Sequence, residues 1–337
     1  MQDQLVFVIS PPRAGSTLLQ RMLGAHTEIF THPEPHLVTP LAFLGYHDTV
    51  DGAPYDHINA AEAIRTFVDG LPRGEDDYLD ALRSYADTLY GRMLAPSEKS
   101  RFLDKTPAYA LVWPFLTRLY PSAKYIVLTR HPLAVFSSYA QSFFNGDWRE
   151  AARFNPVVER YVPAMAELLR QRPVPLVHLA YETVVQEPEK QLERAFAFLG
   201  LENEPEAVNY QRTEMKAGMG DPINVQKHKR PTTASMHKWA LEVQDDSQKL
   251  SMARDMIARL SDDDLSVWGY DRESVWDALR ESGGKPPPKP VLNKYTFQRR
   301  VMLALRRGVH ARPEGQKLVR RLRYYCDVVL RDSLDAR

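Results

Sequence analysis

The chain has little with which to build a redox or membrane protein. A single cysteine, Cys326, stands among 337 residues. That excludes an internal disulfide and a cysteine metal cluster, and it fits a reducing compartment. No apolar run is long enough to cross a bilayer. The opening MQDQLVFVIS has no basic stretch ahead of its short apolar run. It reads as a first strand, not a secretory leader, so a cytoplasmic location is expected. A His-Glu-x-x-His motif is also absent, and no metal site is expected.

What is present is ordinary for a globular protein. Apolar residues make up 44% and charged residues 26%, in a length that suits one large domain or two modest ones. The net charge of +1 hides an asymmetry. Residues 285–337 carry 14 Lys and Arg against 4 Asp and Glu, so the body before them is acidic. The segment Gly283–Pro290, with four prolines, reads as a semi-rigid spacer. The expected organisation is a domain at 1–282, a Pro-rich linker at 283–290 and a basic helical extension at 291–337. Within that extension, 296–310 and 316–331 mix apolar and basic positions at helical spacing. Charge complementarity favours docking on the acidic body, with a membrane surface or a carrier protein as the other readings. Nucleic acid is not an expected partner. Cys326 lies in an apolar stretch and is expected to be inert.

Three short runs read as strands: Leu5–Ile9, Lys124–Thr129 and Val174–Leu179. Each is nearly continuous in apolar residues, as strands are when helices cover both faces. Helical patterns follow at 16–25, 132–144 and 188–199, the second with Pro132 at its first position. The fold class is therefore α/β, with a central, mostly parallel sheet flanked by helices. Helical inserts carrying many aromatics are expected between residues 40 and 100. Ligands of such folds bind where strands end.

After the first run comes Ser10-Pro11-Pro12-Arg13-Ala14-Gly15-Ser16-Thr17. Gly15 lets a ligand approach the backbone. Ser16 and Thr17 open a helix whose free N–H groups favour an anion, and Arg13 adds a guanidinium fork. An ATP-binding loop would read G-x-x-x-x-G-K-S/T, but Ser10 stands at its first glycine and Ser16 at its lysine. The loop suits one phosphate-like group better than a magnesium-bound triphosphate.

The segment PPRAGSTLLQRMLGAH resembles the 5′-phosphosulfate loop of sulfotransferases, which use 3′-phosphoadenosine 5′-phosphosulfate (PAPS) as sulfuryl donor. Thr129-Arg130-His131-Pro132, with Ser138 further along the next helix, is similar to the family's 3′-phosphate site, although the family often has Asp where His131 stands. Ala180-Tyr181-Glu182 looks like a later family stretch in which the tyrosine contacts the nucleotide. The region 220–239 resembles a nucleotide-covering loop ending in Lys-Trp. Its cations are Lys227, Lys229, Arg230 and Lys238, and Lys238 fits the pattern best. Each reads equally well, taken alone, as a solvated surface charge.

The resemblance covers roughly residues 4–275 and implies a P-loop-like sulfotransferase fold, closest in motifs to tyrosylprotein-type and polyketide-associated bacterial members. It implies PAPS as donor, no metal, and Arg13, Ala14, Gly15, Ser16, Thr17, Arg130, Ser138, Tyr181, Lys229, Arg230 and Lys238 as donor-binding residues. Glu34, in Pro33-Glu34-Pro35-His36-Leu37, matches the family's catalytic carboxylate. His36 is the other base on chemical grounds, because imidazole titrates near neutral pH. Lys105, in an Asp104-Lys105-Thr106-Pro107 element, and Arg13 are the implied charge stabilisers. Lys105 also reads as a partner of Asp104. The expected acceptor is a hydroxyl on a small molecule or a carrier-tethered acyl group, with a glycolipid and a peptide tyrosine also open. An ATP-dependent phosphotransferase and a non-catalytic nucleotide-binding scaffold are the alternatives.

Overall fold

The computed structural model describes residues 1–48, 57–212 and 228–283. All of them lie in one unit, Met1–Pro287. The expectations for the linker beyond Gly283, the basic extension 291–337 and Lys227 fall outside the described residues.

Among the described residues, five strands form one sheet: β1 (Leu5–Ile9), β2 (Ile29–Pro33), β3 (Arg101–Lys105), β4 (Lys124–Thr129) and β5 (Leu176–Ala180). Their order is β2-β3-β1-β4-β5 and every pairing is parallel. The sheet is as expected in class, with β1 and β4 at the expected residues. The third expected strand, Val174–Leu179, begins two residues later, at Leu176. β2 and β3 come in addition. β1 lies at the centre, and all five of its side chains are fully buried. Helices cover both faces, which is why these central runs carry no polar alternation. The helices Ser16–Gly24, Pro132–Phe144 and Pro188–Leu199 stand where the sequence placed them. The insert between β2 and β3 holds the helices His57–Asp69 and Glu75–Leu94.

Parallel pairing brings the carboxyl ends to one edge. Val8 pairs with Lys105, Pro33 with Lys105, and Ile9 with Val127. Whatever follows Ile9, Pro33, Lys105, Thr129 and Ala180 must converge there. Among the described residues, no helix is long and apolar enough to cross a membrane.

Candidate active site

The turn after β1 is shaped by two left-handed residues, Arg13 at φ 66° and Gly15 at φ 90°. The helix beginning at Ser16 has no side-chain cap. Its first N–H groups are thus left for another acceptor. A Cβ on Gly15 would lie 2.4 Å from Cδ2 of Tyr181, so the tyrosine ring closes this turn and only glycine fits.

Arg130, just beyond β4, is buried at 7% exposure. One guanidinium nitrogen donates to the Arg13 carbonyl (3.0 Å) and another to the Ser235 carbonyl (2.7 Å). The group lies 4.2 Å over the Tyr181 ring. Its Nε is buried with no hydrogen-bond partner. Among the described residues no carboxylate lies within ion-pair distance of it; its hydrogen-bond partners are neutral carbonyls, with the Glu182 charge farther off. Burial lowers its pKa, although an arginine stays charged at any ordinary pH. Arg13 reaches the same place, its Nε donating to Ser138 Oγ at 3.4 Å. Trp268 Nε1 donates to the Arg130 carbonyl (2.8 Å) and holds this backbone in position.

His131 is packed beneath. Its ring stacks on Trp239 with centroids 4.4 Å apart. Nε2 meets the Val275 carbonyl at 2.9 Å, while Nδ1 is buried without a partner. Burial foremost, and then the Arg130 and His237 charges, lower its pKa to about 3. The folded state thus holds the neutral ring, whereas the unfolded chain takes up a proton as pH falls below the ordinary histidine value. The stability His131 contributes is full above pH 6.5 and is lost as pH falls toward 3. By pH 5 the loss from this one site should reach about 2 kcal/mol. Urea midpoints at pH 7.5 and pH 5 check this. His131→Gln should flatten the acid limb, and an unchanged slope would show that another group sets it.

At the ends of β2 and β3 the charges are arranged differently. Lys105 is fully buried. Its Nζ donates to Glu34 Oε1 and, at 3.3 Å, to Thr17 Oγ1. Lys105 therefore pairs with Glu34, not with its neighbour Asp104. Asp104 points to the other face and accepts from Tyr90 (2.6 Å), Tyr109 (2.8 Å) and Thr106 (3.0 Å). His36 Nε2 lies 3.8 Å from Glu34 Oε2, on a left-handed backbone at φ 52°.

These strand ends open into one cleft of about 1070 Å³. Arg13, Gly15, Ser16, Thr17, Glu34, Arg130, Ser138, Tyr181, Arg230 and Lys238 all line it. Lys105 sits behind Glu34 and Thr17. Ala14, His36 and Lys229 stand off the lining, and Arg230 is paired with Glu189. Sequence reasoning missed Tyr210, Ser137 and Glu242, which also face the cleft. Glu242 accepts from Ser137 Oγ (2.5 Å), Trp148 Nε1 (3.2 Å) and Lys249 Nζ (2.8 Å). It ties the helix Lys238–Gln244 to the helix Pro132–Phe144. No local signal marks it, because its partners come from three separate helices.

The model of the sulfotransferase family matches residues 5–205. The chain belongs to the sulfotransferase family. This sulfotransferase is 27% identical over 335 residues to nodulation protein NoeE of Sinorhizobium fredii, covering 90% of this chain and 74% of that one. It is 23% identical to protein-tyrosine sulfotransferase 2 of Gallus gallus, over 77% of this chain and 69% of the relative. Among solved structures it shares its fold with the sulfotransferase domain from the curacin biosynthetic pathway. There the TM-score is 0.50 and the identity 22%, over 84% of this chain and 98% of that domain. The sulfotransferase is an enzyme, and PAPS dependence is typical of its family. That membership favours sulfuryl transfer over the ATP-dependent and scaffold readings.

Proposed function

We propose that this sulfotransferase moves the sulfuryl group of PAPS to an acceptor hydroxyl, with Glu34 as general base. Arg130 carries the reading. It is a buried guanidinium with no carboxylate in ion-pair distance among the described residues, and its Nε has no hydrogen-bond partner there. It shares a cleft with an uncapped helix start. Such a group calls for an anion. The residues present therefore fit a bisphosphorylated adenosine. Arg130 and Ser138 would hold the 3′-phosphate end, and Arg13, Gly15, Ser16 and Thr17 the 5′ end, where Arg13 also steadies developing charge. Ala14, Lys229, Arg230 and Lys238 belong to the same proposal through the family pattern, with Tyr181 against the nucleotide.

PAPS supplies an activated sulfur whose bond to the 5′-phosphate oxygen breaks as the acceptor oxygen attaches. Glu34 would take the acceptor proton through Oε2, because Oε1 is engaged by Lys105. Lys105 and the helix N-terminus would steady the negative charge left on the 5′-phosphate. His36 is the weaker base by position, since Glu34 stands between it and Lys105. The acceptor we favour is a hydroxyl on a small molecule or a carrier-tethered acyl group. Support comes from the Pro33–Leu37 segment and from the fold shared with a biosynthetic-pathway domain.

Calorimetric titration with adenosine 3′,5′-bisphosphate tests the reading. Micromolar or tighter binding without magnesium is expected. A preference for magnesium-ATP would overturn it.

A further inference from the structure

The arm that carries Glu34 runs from the end of β2 into residues 34–38, with two prolines and a left-handed His36. A carboxylate on such an arm is only as well placed as the arm's anchors. One anchor is upstream. Gln20 Nε2 donates to Thr31 Oγ1 (2.8 Å) and to the His32 carbonyl (2.9 Å), and Thr31 Oγ1 donates to the Leu103 carbonyl (3.0 Å). The other is downstream, on the opposite face of the sheet. The fully buried N–H of Val38 donates to Tyr109 Oη at 3.2 Å.

Tyr109 can accept there because its own proton is committed elsewhere. It donates to Asp104 Oδ2 at 2.8 Å. A phenol has one proton to give. With that proton on a buried carboxylate, the oxygen turns its lone pairs toward Val38. Tyr90 donates to the same carboxylate oxygen at 2.6 Å but, among the described residues, makes no hydrogen bond to the arm. Asp104 and Lys105 are consecutive on β3, so their side chains take opposite faces. One grips the arm's backbone through Tyr109, and the other grips Glu34 itself.

We propose that Asp104 and Tyr109 are positioning residues for Glu34. They fix the far end of its arm by orienting the acceptor for the Val38 N–H. The functional meaning rests on Glu34 being the base, but the positioning can be tested without turnover. Tyr109→Phe and Tyr90→Phe each remove one hydroxyl from Asp104 and keep the ring. The readouts are hydrogen–deuterium exchange of peptides covering residues 34–38 and the carboxyl ¹³C resonance of Glu34, assigned by its absence in Glu34→Gln. In Tyr109→Phe the exchange should quicken at least tenfold and the resonance should move, while peptides from β4 stay within twofold of the parent. In Tyr90→Phe both signals should stay at the parent values despite a similar fall in melting temperature. If Tyr109→Phe does not fold, Asp104→Asn takes its place, with the same acceleration expected. Equal acceleration in both tyrosine variants, or none in either, would overturn the proposal. Adenosine 3′,5′-bisphosphate titration of the same proteins separates this from the donor-site reading. Loss of bisphosphate binding in the parent would sink that reading and leave the exchange result standing.

Discussion

Arg130→Ala should weaken adenosine 3′,5′-bisphosphate binding by about 100-fold, close to 3 kcal/mol, in calorimetric titration. The magnitude follows from burial. A surface arginine on a phosphate is screened by water, but Arg130 is 7% exposed and already desolvated in the folded protein. The folded state has met the desolvation cost in advance, so a phosphate arriving there gains most of the charge-assisted bond. The backbone should survive the change, because Trp268 bonds to the Arg130 carbonyl, not to the side chain. Arg130→Lys should recover only part of the affinity, since a point charge cannot replace a fork lying over the Tyr181 ring. A loss of less than threefold in the alanine variant would move the 3′-phosphate away from this strand end.

Glu34→Gln should cut PAPS turnover by roughly 10²- to 10⁴-fold, the range in which general-base removal falls. Affinity for the bisphosphate should stay within about threefold of the parent. The assay follows sulfuryl transfer from labelled PAPS into a panel of hydroxyl acceptors, with the panel fixed on the parent enzyme first. His36→Gln is the paired control and should keep most of the activity. The reverse result, an active Glu34→Gln and a dead His36→Gln, would hand the base role to the imidazole. Stability must be measured alongside. Lys105 is fully buried, and a neutral partner leaves its charge uncompensated, at a cost of about 3–5 kcal/mol. Adding Lys105→Met should restore melting temperature without restoring turnover, which separates the chemistry from the fold.

The two strands that sequence reasoning missed are the two that shape this end of the site. β1 and β4 announce themselves through unbroken apolar runs, because both of their faces are buried. β2, Ile29-Phe30-Thr31-His32-Pro33, is an edge strand whose last three residues are half-buried. Two apolar residues followed by Thr-His-Pro give no period to read. β3, Arg101-Phe102-Leu103-Asp104-Lys105, ends in two charged residues that sit in the interior. Composition alone argues against burying them. What makes it tolerable is supplied by Thr106 and Tyr109 nearby and by Tyr90 and Glu34, which lie further off in sequence. The turn chemistry was legible because it is local. Arg13, Gly15, Ser16 and Thr17 follow one strand directly, and Arg130 follows another. Lys105 was found by its motif, but its pairing with Glu34 was not, since 71 residues separate the two.

The place of β2 at the sheet edge bears on how the enzyme assembles. Among the described residues its only ladder partner is β3, with Ile29 opposite Arg101 and Pro33 opposite Lys105. Paired positions are 72 residues apart in sequence, so the contact is a long-range one with a correspondingly large loop to close. The donor-side turn, by contrast, joins adjacent pieces of chain. During synthesis, a nascent polypeptide that has not yet emerged through residue 105 has nothing to set the Glu34 arm against, and β1 still awaits its partners β3 and β4. Both ends of the site therefore wait on β3, the strand that pairs with β1 and β2 alike. A partly made chain has no means of completing the acid–base end.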